Sequence, residues 1–162
     1  SALITLTHRA VSRTVAGQTA DLAQTGQALD DITLYETIAS EKSGPLLGLP
    51  VTLGLSVAGA LDDIETVERT VRLIAIAYQF VDDIGDWQED QVQESLNGVL
   101  VLARANHSQP IDAIAEAATL TRAHLRHARE LAARLPQGCG AVFVGLADRL
   151  EAKLTQELAL AS

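Results

Sequence analysis

The chain of 162 residues has no methionine, a single cysteine, two lysines and only five aromatic residues. Its single cysteine, Cys139, excludes an internal disulfide framework and a cysteine-based zinc site, and it suits a reducing, cytoplasmic location. No apolar run reaches the roughly 18 residues that a membrane-spanning helix needs. The 12 basic residues are outnumbered by 21 acidic ones, giving a net charge of −9, which disfavours nucleic acid or an anionic membrane as a partner.

The residues that are present favour helices. Alanine and leucine supply 50 of the 162 residues, and only 3% of the chain is aromatic. Alanine and leucine lose little rotamer freedom in a helix. Apolar side chains recur at helical spacing, and no stretch alternates long enough to predict a strand. The sequence therefore predicts one all-α domain over residues 1–162, built as a bundle of about seven helices.

Glycines and prolines set most of the predicted helix boundaries. The run at 43–45, Ser-Gly-Pro, is predicted to end the second helix and to begin a third. That third helix is apolar nearly all round, so we expect it to be buried on every side. The predicted helices cover approximately residues 3–23, 31–42, 46–58, 62–87, 96–105, 111–135 and 141–159.

Acidic residues mark two of the predicted helix starts. Asp30 or Asp31 is predicted to cap the second helix. The pattern Asp62-x-x-Glu65 is predicted to cap the fourth helix. Tyr78 falls on the apolar stripe of that fourth helix, which predicts that its ring is in the core.

The segment at 77–86, AYQFVDDIGD, carries the most informative polar residues. Gln79, Asp82, Asp83 and Asp86 are three or four residues apart, so on a helix their side chains gather on one side. Three clustered carboxylates repel one another unless a cation lies between them. They are therefore either a solvated helix end or a Mg²⁺ site, since Mg²⁺ binds one or two carboxylates together with water and substrate phosphates.

Lys42 is the second candidate, and it is one of only two lysines in the chain. It ends a predicted helical stripe that includes Tyr35, seven residues earlier. Such a lysine either satisfies the helix dipole or presents a point charge to a phosphate, with the Ser43 hydroxyl and the Gly44 backbone beside it. A third feature, the pattern GQxxD at 17–21, places a polar pair one turn apart and indicates little by itself.

In this order and spacing, the three segments resemble the C-terminal half of the trans (E-type) isoprenyl diphosphate synthases. That family shows G-Q-x-x-D-L, then Y-x-x-I-x-x-x-K-T-G, then F-Q-x-x-D-D-x-x-D. This chain has GQTADL at 17–22, YETIASEKSG at 35–44 and YQFVDDIGD at 78–86. The resemblance implies the all-α isoprenoid synthase fold in a half-length form.

The resemblance also implies a reaction and its ligands. In these enzymes two aspartate-rich motifs hold Mg²⁺ ions that bind the diphosphate of an allylic substrate. Diphosphate departs, and isopentenyl diphosphate attacks the allylic cation. Asp82, Asp83 and Asp86 match the second aspartate-rich motif, so the resemblance implies that they are metal ligands.

Further site residues follow from the same match. Lys42 corresponds to the family's diphosphate-binding lysine, and Ser43 stands where the family has threonine. Gln79 corresponds to the glutamine that faces substrate and cation. Tyr78 stands beside it at the start of the motif. The resemblance thus implies catalytic roles for Lys42 and Gln79 and substrate-binding roles for all four residues.

Two features depart from the family pattern. Nothing in the sequence matches the first aspartate-rich motif with its arginines, and residues 87–99 contain no lysine or arginine. We therefore expect a half-length subunit or a fragment that is inactive alone, with the first motif supplied by a second chain or, as a weaker alternative, with self-association. A non-catalytic partner of a full-length synthase and part of a class I terpene cyclase remain alternatives.

Overall fold

The computed structural model describes residues 2–161, apart from the side chain of Gln137. These residues form six α-helices, two short 3-10 turns and no β-strand, which confirms the all-α prediction. None of these helices is long and apolar enough to cross a membrane. Ser1 and Ser162, the ends of the predicted domain, lie outside the described residues. The helices are α1 (Ala2–Leu22), α2 (Ile32–Ala58), α3 (Ile64–Gln93), α4 (Gly98–Ala105), α5 (Pro110–Ala132) and α6 (Ala141–Leu160).

The predicted second and third helices are a single helix, α2, which continues through Pro45 and Pro50. A proline inside a helix removes one hydrogen bond and costs about 3 kcal/mol. Tertiary packing offsets this cost, because α2 lies close against α3. A β-carbon at Gly48 would lie 3.1 Å from the Val71 side chain. The prediction of about seven helices was therefore wrong by one. Packing of α2 on α3 outweighs the helix-breaking tendency of the two prolines.

Three details of the sequence prediction are settled by the same helices. Asp31 caps α2, where its side chain accepts hydrogen bonds from the backbone N–H groups of residues 33 and 34. The expected cap at Asp62 was wrong, because residues 61–63 form a 3-10 turn and α3 begins without a side-chain cap. Burial was also predicted wrongly at Leu46, Val57 and Tyr78, which are 44%, 74% and 43% exposed.

Helix α3 is the centre of the bundle. It packs against α2, α4, α5 and α6, while α1 packs on α2. One apolar cluster lies near the C-terminal half of α3, where the rings of Tyr35 and Phe80 are 5.0 Å apart between centroids. A second cluster lies towards its N-terminal half and includes Val67 and Phe143. The polar residues of α3 that follow Phe80 thus lie on a helix that is anchored by packing against four others.

Ion pairs tie α1 to its neighbours. The Arg13 guanidinium donates two hydrogen bonds to the Glu41 carboxylate, at 2.6 and 2.7 Å. Arg9 pairs with Glu68 of α3. The hydrogen bond from Arg13 holds the pKa of Glu41 below its usual range. Because Glu41 directly precedes Lys42, this pair also fixes the helix segment that carries the lysine.

We expect Arg13→Met to lower the free energy of unfolding by about 0.5–1 kcal/mol at neutral pH, since solvent screens a half-exposed pair. A carboxyl whose pKa is depressed by folding adds stability above its ordinary pKa and loses it as pH falls through the depressed value. Urea unfolding at about pH 7 and about pH 3 should therefore show the difference from wild type shrinking under acid. Arg69→Met, at an exposed arginine, is the matched control. An Arg13 effect of equal size at both values of pH would contradict this account.

Candidate functional site

A cavity of about 270 Å³ opens where α1, α2 and α3 meet the connection into α4. Its lining is largely polar and includes five carboxylates and one lysine. The predicted Lys42, Gln79 and three motif aspartates are therefore brought to a single site from two helices. The lining residues are Asp21, Leu22, Thr25, Lys42, Gln79, Asp82, Asp83, Asp86, Asp90, Ser95 and Leu96.

Lys42 faces this cavity from α2 and is held by Asp21 of α1. Its Nζ donates a hydrogen bond to Asp21 Oδ2 at 3.0 Å. Gly17 makes this contact possible, because a β-carbon there would lie only 2.5 Å from the backbone nitrogen of Lys42. The GQxxD pattern, which indicated little as sequence, thus serves two purposes: glycine permits close helix packing and aspartate orients the lysine.

Asp83 is turned inward, towards the core beneath the cavity. Its Oδ2 accepts hydrogen bonds from the Tyr35 hydroxyl at 2.6 Å and from the Gly98 backbone N–H at 2.5 Å. Burial raises the pKa of Asp83 to about 7, although the two hydrogen bonds act in the opposite direction. Asp83 therefore links α2, α3 and α4 as well as lining the cavity.

Asp82 and Asp86 are one turn apart on α3 and are the more accessible acids. The Asp82 side chain is 29% exposed, and its Oδ1 accepts a hydrogen bond from Lys153 Nζ of α6 at 2.5 Å. Asp82 also raises the pKa of the Tyr78 hydroxyl through hydrogen bonding and charge. Asp86 is exposed. Both carboxylates can thus be reached by a ligand in the cavity.

Sequence reasoning missed Asn97 and Asp90. Asn97 is completely buried, and its side-chain amide donates hydrogen bonds to the Asp83 carbonyl at 3.0 Å and to Asp90 Oδ2 at 2.8 Å. Burial raises the pKa of Asp90, and the hydrogen bond from Asn97 partly opposes that rise. Asp90 lies one helical turn beyond Asp86, at the same four-residue spacing that separates Asp82 from Asp86. That spacing could have predicted that Asp90 belongs to the site.

Two predicted residues lie outside the cavity lining. Ser43 is half-buried beside Lys42, and Tyr78 is exposed on α3 beside Asp82. Within residues 2–161, no three acidic, histidine or cysteine side chains are already grouped as a metal cage. The chemistry of the donors still fits Mg²⁺, which binds one or two carboxylates and takes its remaining ligands from water and phosphate.

Comparison with known proteins decides the family. The family model described as polyprenyl synthetase matches residues 1–98, which include α1, α2, α3 and every predicted site residue. The chain belongs to the polyprenyl synthetase family. The match ends as α4 begins, so α5 and α6 lie outside it.

Individual members of the polyprenyl synthetase family match a shorter segment. The large subunit 1 of a heterodimeric geranylgeranyl pyrophosphate synthase from Arabidopsis thaliana is 40% identical over 75 residues, which are 44% of this chain and 20% of that protein. A nonaprenyl diphosphate synthase from Mycobacterium tuberculosis is 39% identical over 75 residues, or 22% of its length. The matched segment thus spans about a fifth of these relatives.

The fold extends the likeness to most of the chain. A crystal structure of a polyprenyl synthase from Roseobacter denitrificans superposes with a TM-score of 0.77 at 19% identity. The superposition covers 93% of this chain and 63% of that one. This chain therefore has the helical fold of a polyprenyl synthase over nearly its whole length, including helices beyond the family-model match.

Proposed function

We propose that this chain is a prenyltransferase component that condenses an allylic diphosphate with isopentenyl diphosphate. One observation carries the proposal: Lys42 of α2 and the acids Asp82 and Asp86 of α3 line the same cavity. A lysine opposite a carboxylate pair suits a ligand that is itself anionic and bound through metal ions. Membership of the polyprenyl synthetase family supports a diphosphate as that ligand.

The residues of the site suit Mg²⁺. Asp82 and Asp86 would hold the metal, and Asp83 would contribute through the carboxylate oxygen that accepts neither the Tyr35 nor the Gly98 hydrogen bond. When bound, Mg²⁺ supplies positive charge that stabilises the departing diphosphate. Packing of α3 against α2, α4, α5 and α6 supports this proposal, because it holds the helix that carries these carboxylates.

Side chains of this chain would stabilise the departing diphosphate and the allylic cation. Lys42 Nζ would donate hydrogen bonds to phosphate oxygens that gain negative charge as the allylic C–O bond breaks. Before a ligand binds, the hydrogen bond to Asp21 keeps that ammonium group facing the cavity. The carbonyl oxygen of Gln79 would face the allylic cation from the neighbouring turn. The proton lost after condensation would pass to the diphosphate that has just left.

The second part of the proposal is that another chain completes the site. Apolar residues on α1 remain exposed at helical spacing, namely Ile4, Val11, Val15 and Leu22. Leu22 is 64% exposed and lines the cavity, so this apolar stripe reaches the cavity rim. Exposed apolar surface of this kind is typical of an interface. The Arabidopsis relative, named as a subunit of a heterodimer, offers a precedent for such an assembly.

An activity assay with and without a partner tests this proposal. The partner is a co-occurring chain that contains D-D-x-x-D on a helix followed by arginines. We expect turnover of an allylic diphosphate with isopentenyl diphosphate and Mg²⁺ only in the mixture. Asp82→Asn in this chain should reduce that turnover about 100-fold. Asp62→Asn, at an exposed aspartate outside the cavity, is the control. Robust turnover by a monomer of this chain alone would contradict the requirement for a partner.

A second candidate function is that of a non-catalytic partner that regulates a full-length synthase. The observation in its favour is the absence of lysine and arginine from residues 87–99, where the segment after the acids carries Glu89, Asp90 and Glu94 instead. The same assay separates the two functions. A regulatory chain would alter the activity of its partner, and Asp82→Asn would leave that activity unchanged.

A further inference from the structure

Each of the two lysines of the chain contacts one of the acids that line the cavity. Lys42 pairs with Asp21, and Lys153 pairs with Asp82. The other ten basic residues are arginines, and the arginine ion pairs within residues 2–161 involve no carboxylate of the cavity. Lys153 is 71 residues from Asp82 along the chain and lies outside the family-model match. Its place at the site is therefore evident only from the packing of α6.

The packing of α6 on α3 brings Lys153 to Asp82, one of the acids that line the cavity. One turn beyond the contact between Lys153 and Asp82, Glu157 of α6 lies so close to α3 that a β-carbon at Gly85 would be 3.0 Å from its Oε2. The Lys153 side chain is 44% exposed, so its long stem is free to turn about the contact. A flexible four-carbon stem of this exposure allows the ammonium group to leave Asp82 for another anion nearby.

The charge of the site indicates what Lys153 can bind. Five carboxylates and only one lysine line the cavity, and the segment that follows the acids adds more negative charge. A diphosphate needs further cations nearby, and hydrogen bonds between ammonium and phosphate are among the strong ones. Mg²⁺ held by Asp82 would replace the ammonium group there and would leave Lys153 available to a phosphate oxygen.

We infer that Lys153 is a diphosphate-binding residue, supplied by α6 in place of the basic residues missing from 87–99. It holds Asp82 in the free protein and turns to a phosphate oxygen when Mg²⁺ binds Asp82. The inference rests on the proposed function, because it takes the cavity to be a Mg²⁺–diphosphate site.

Calorimetry with two separate ligands tests the inference. MgCl₂ is titrated alone, and inorganic pyrophosphate is titrated in excess Mg²⁺. We expect Lys153→Met to weaken pyrophosphate binding about ten-fold, the effect of losing one charge-assisted hydrogen bond. The same variant should bind Mg²⁺ alone a few-fold more tightly, because a competing cation has been removed from Asp82. Lys153→Arg should stay within about three-fold of wild type for pyrophosphate. Arg126→Met, at an exposed arginine of α5, should match wild type with both ligands.

Other results would overturn the inference. If Lys153→Met lowers the melting temperature and leaves the pyrophosphate affinity unchanged, the ion pair with Asp82 is only structural. If the variant binds both ligands more tightly, Lys153 obstructs the site. If wild-type protein binds no pyrophosphate in Mg²⁺, the proposed function fails together with the inference. Wild-type binding without a Lys153 effect refutes the inference alone.

Discussion

Replacing Gly17 with alanine is expected to lower the free energy of unfolding by about 2 kcal/mol and to weaken pyrophosphate binding. The new methyl group would lie 2.5 Å from both the Glu41 carbonyl carbon and the Lys42 nitrogen. Those are backbone atoms, so no side-chain rotation relieves the clash, and α1 must move away from α2. Overpacking costs about 1–3 kcal/mol, and a clash with two backbone atoms belongs at the upper end of that range. About 2 kcal/mol of loss then remains after the roughly 1 kcal/mol that alanine gains over glycine inside a helix.

The matched control is Gly54→Ala in α2. Beyond its own turn of helix, no described atom lies within 4 Å of a β-carbon at this position, so only the helix-propensity gain remains. Gly54→Ala should therefore stabilise the protein by about 0.5–1 kcal/mol. Thermal unfolding should show the Gly17 variant melting about 5 °C lower and the Gly54 variant slightly higher than wild type. If both variants are stabilised equally, α1 does not approach the backbone of Lys42 as closely as the structure indicates.

Asn97→Ala should have the largest effect on the α3–α4 connection. The variant loses the cap of α4, because Asn97 Oδ1 accepts hydrogen bonds from the backbone N–H groups of residues 99 and 100. It also leaves the Asp83 carbonyl and the Asp90 carboxylate without the amide that pairs them. A lost cap costs about 1 kcal/mol, and the two other lost hydrogen bonds, one of them to the half-buried Asp90 carboxylate, cost about 1 kcal/mol each. We expect a total loss of about 3 kcal/mol in the free energy of unfolding.

The other end of α4 provides the control for this prediction. Asn106 is exposed, and its amide donates a hydrogen bond to Glu116 at the surface. Asn106→Ala should change the free energy of unfolding by no more than about 0.5 kcal/mol. Urea denaturation monitored by circular dichroism measures both variants. Equal effects at the two ends would mean that Asn97 is not the anchor of α4 on the site.

The sequence was sufficient for features that depend on local spacing. The three- and four-residue intervals among Gln79, Asp82, Asp83 and Asp86 predicted that these side chains gather on one side of a helix, and all four line the same cavity. The stripe that includes Tyr35 was likewise predicted on the same side of its helix as Lys42. Tyr35 is hydrogen-bonded to Asp83, which lines the cavity together with Lys42. These relations follow from helix geometry alone.

Other features depend on how helices pack, and local patterns cannot indicate them. The sequence gives no reason to pair Lys153 with Asp82, because the contact exists only once α6 lies along α3. Local spacing likewise could not indicate that Asp83, which the resemblance implies is a metal ligand, has its Oδ2 hydrogen-bonded to Tyr35, 48 residues earlier. Pro45 was expected to end a helix, and close packing of α2 on α3 kept that helix continuous.

The central claim is that Lys42 and the α3 acids together form a Mg²⁺-dependent diphosphate site. The most direct measurement is calorimetric titration of inorganic pyrophosphate into this chain, with Mg²⁺ and then with EDTA in its place. We predict binding that requires Mg²⁺, is reduced at least about ten-fold by Asp82→Asn and by Lys42→Met, and is unchanged by Asp62→Asn. Pyrophosphate binding of equal strength in EDTA, or binding that survives both Asp82→Asn and Lys42→Met in folded protein, would contradict the account.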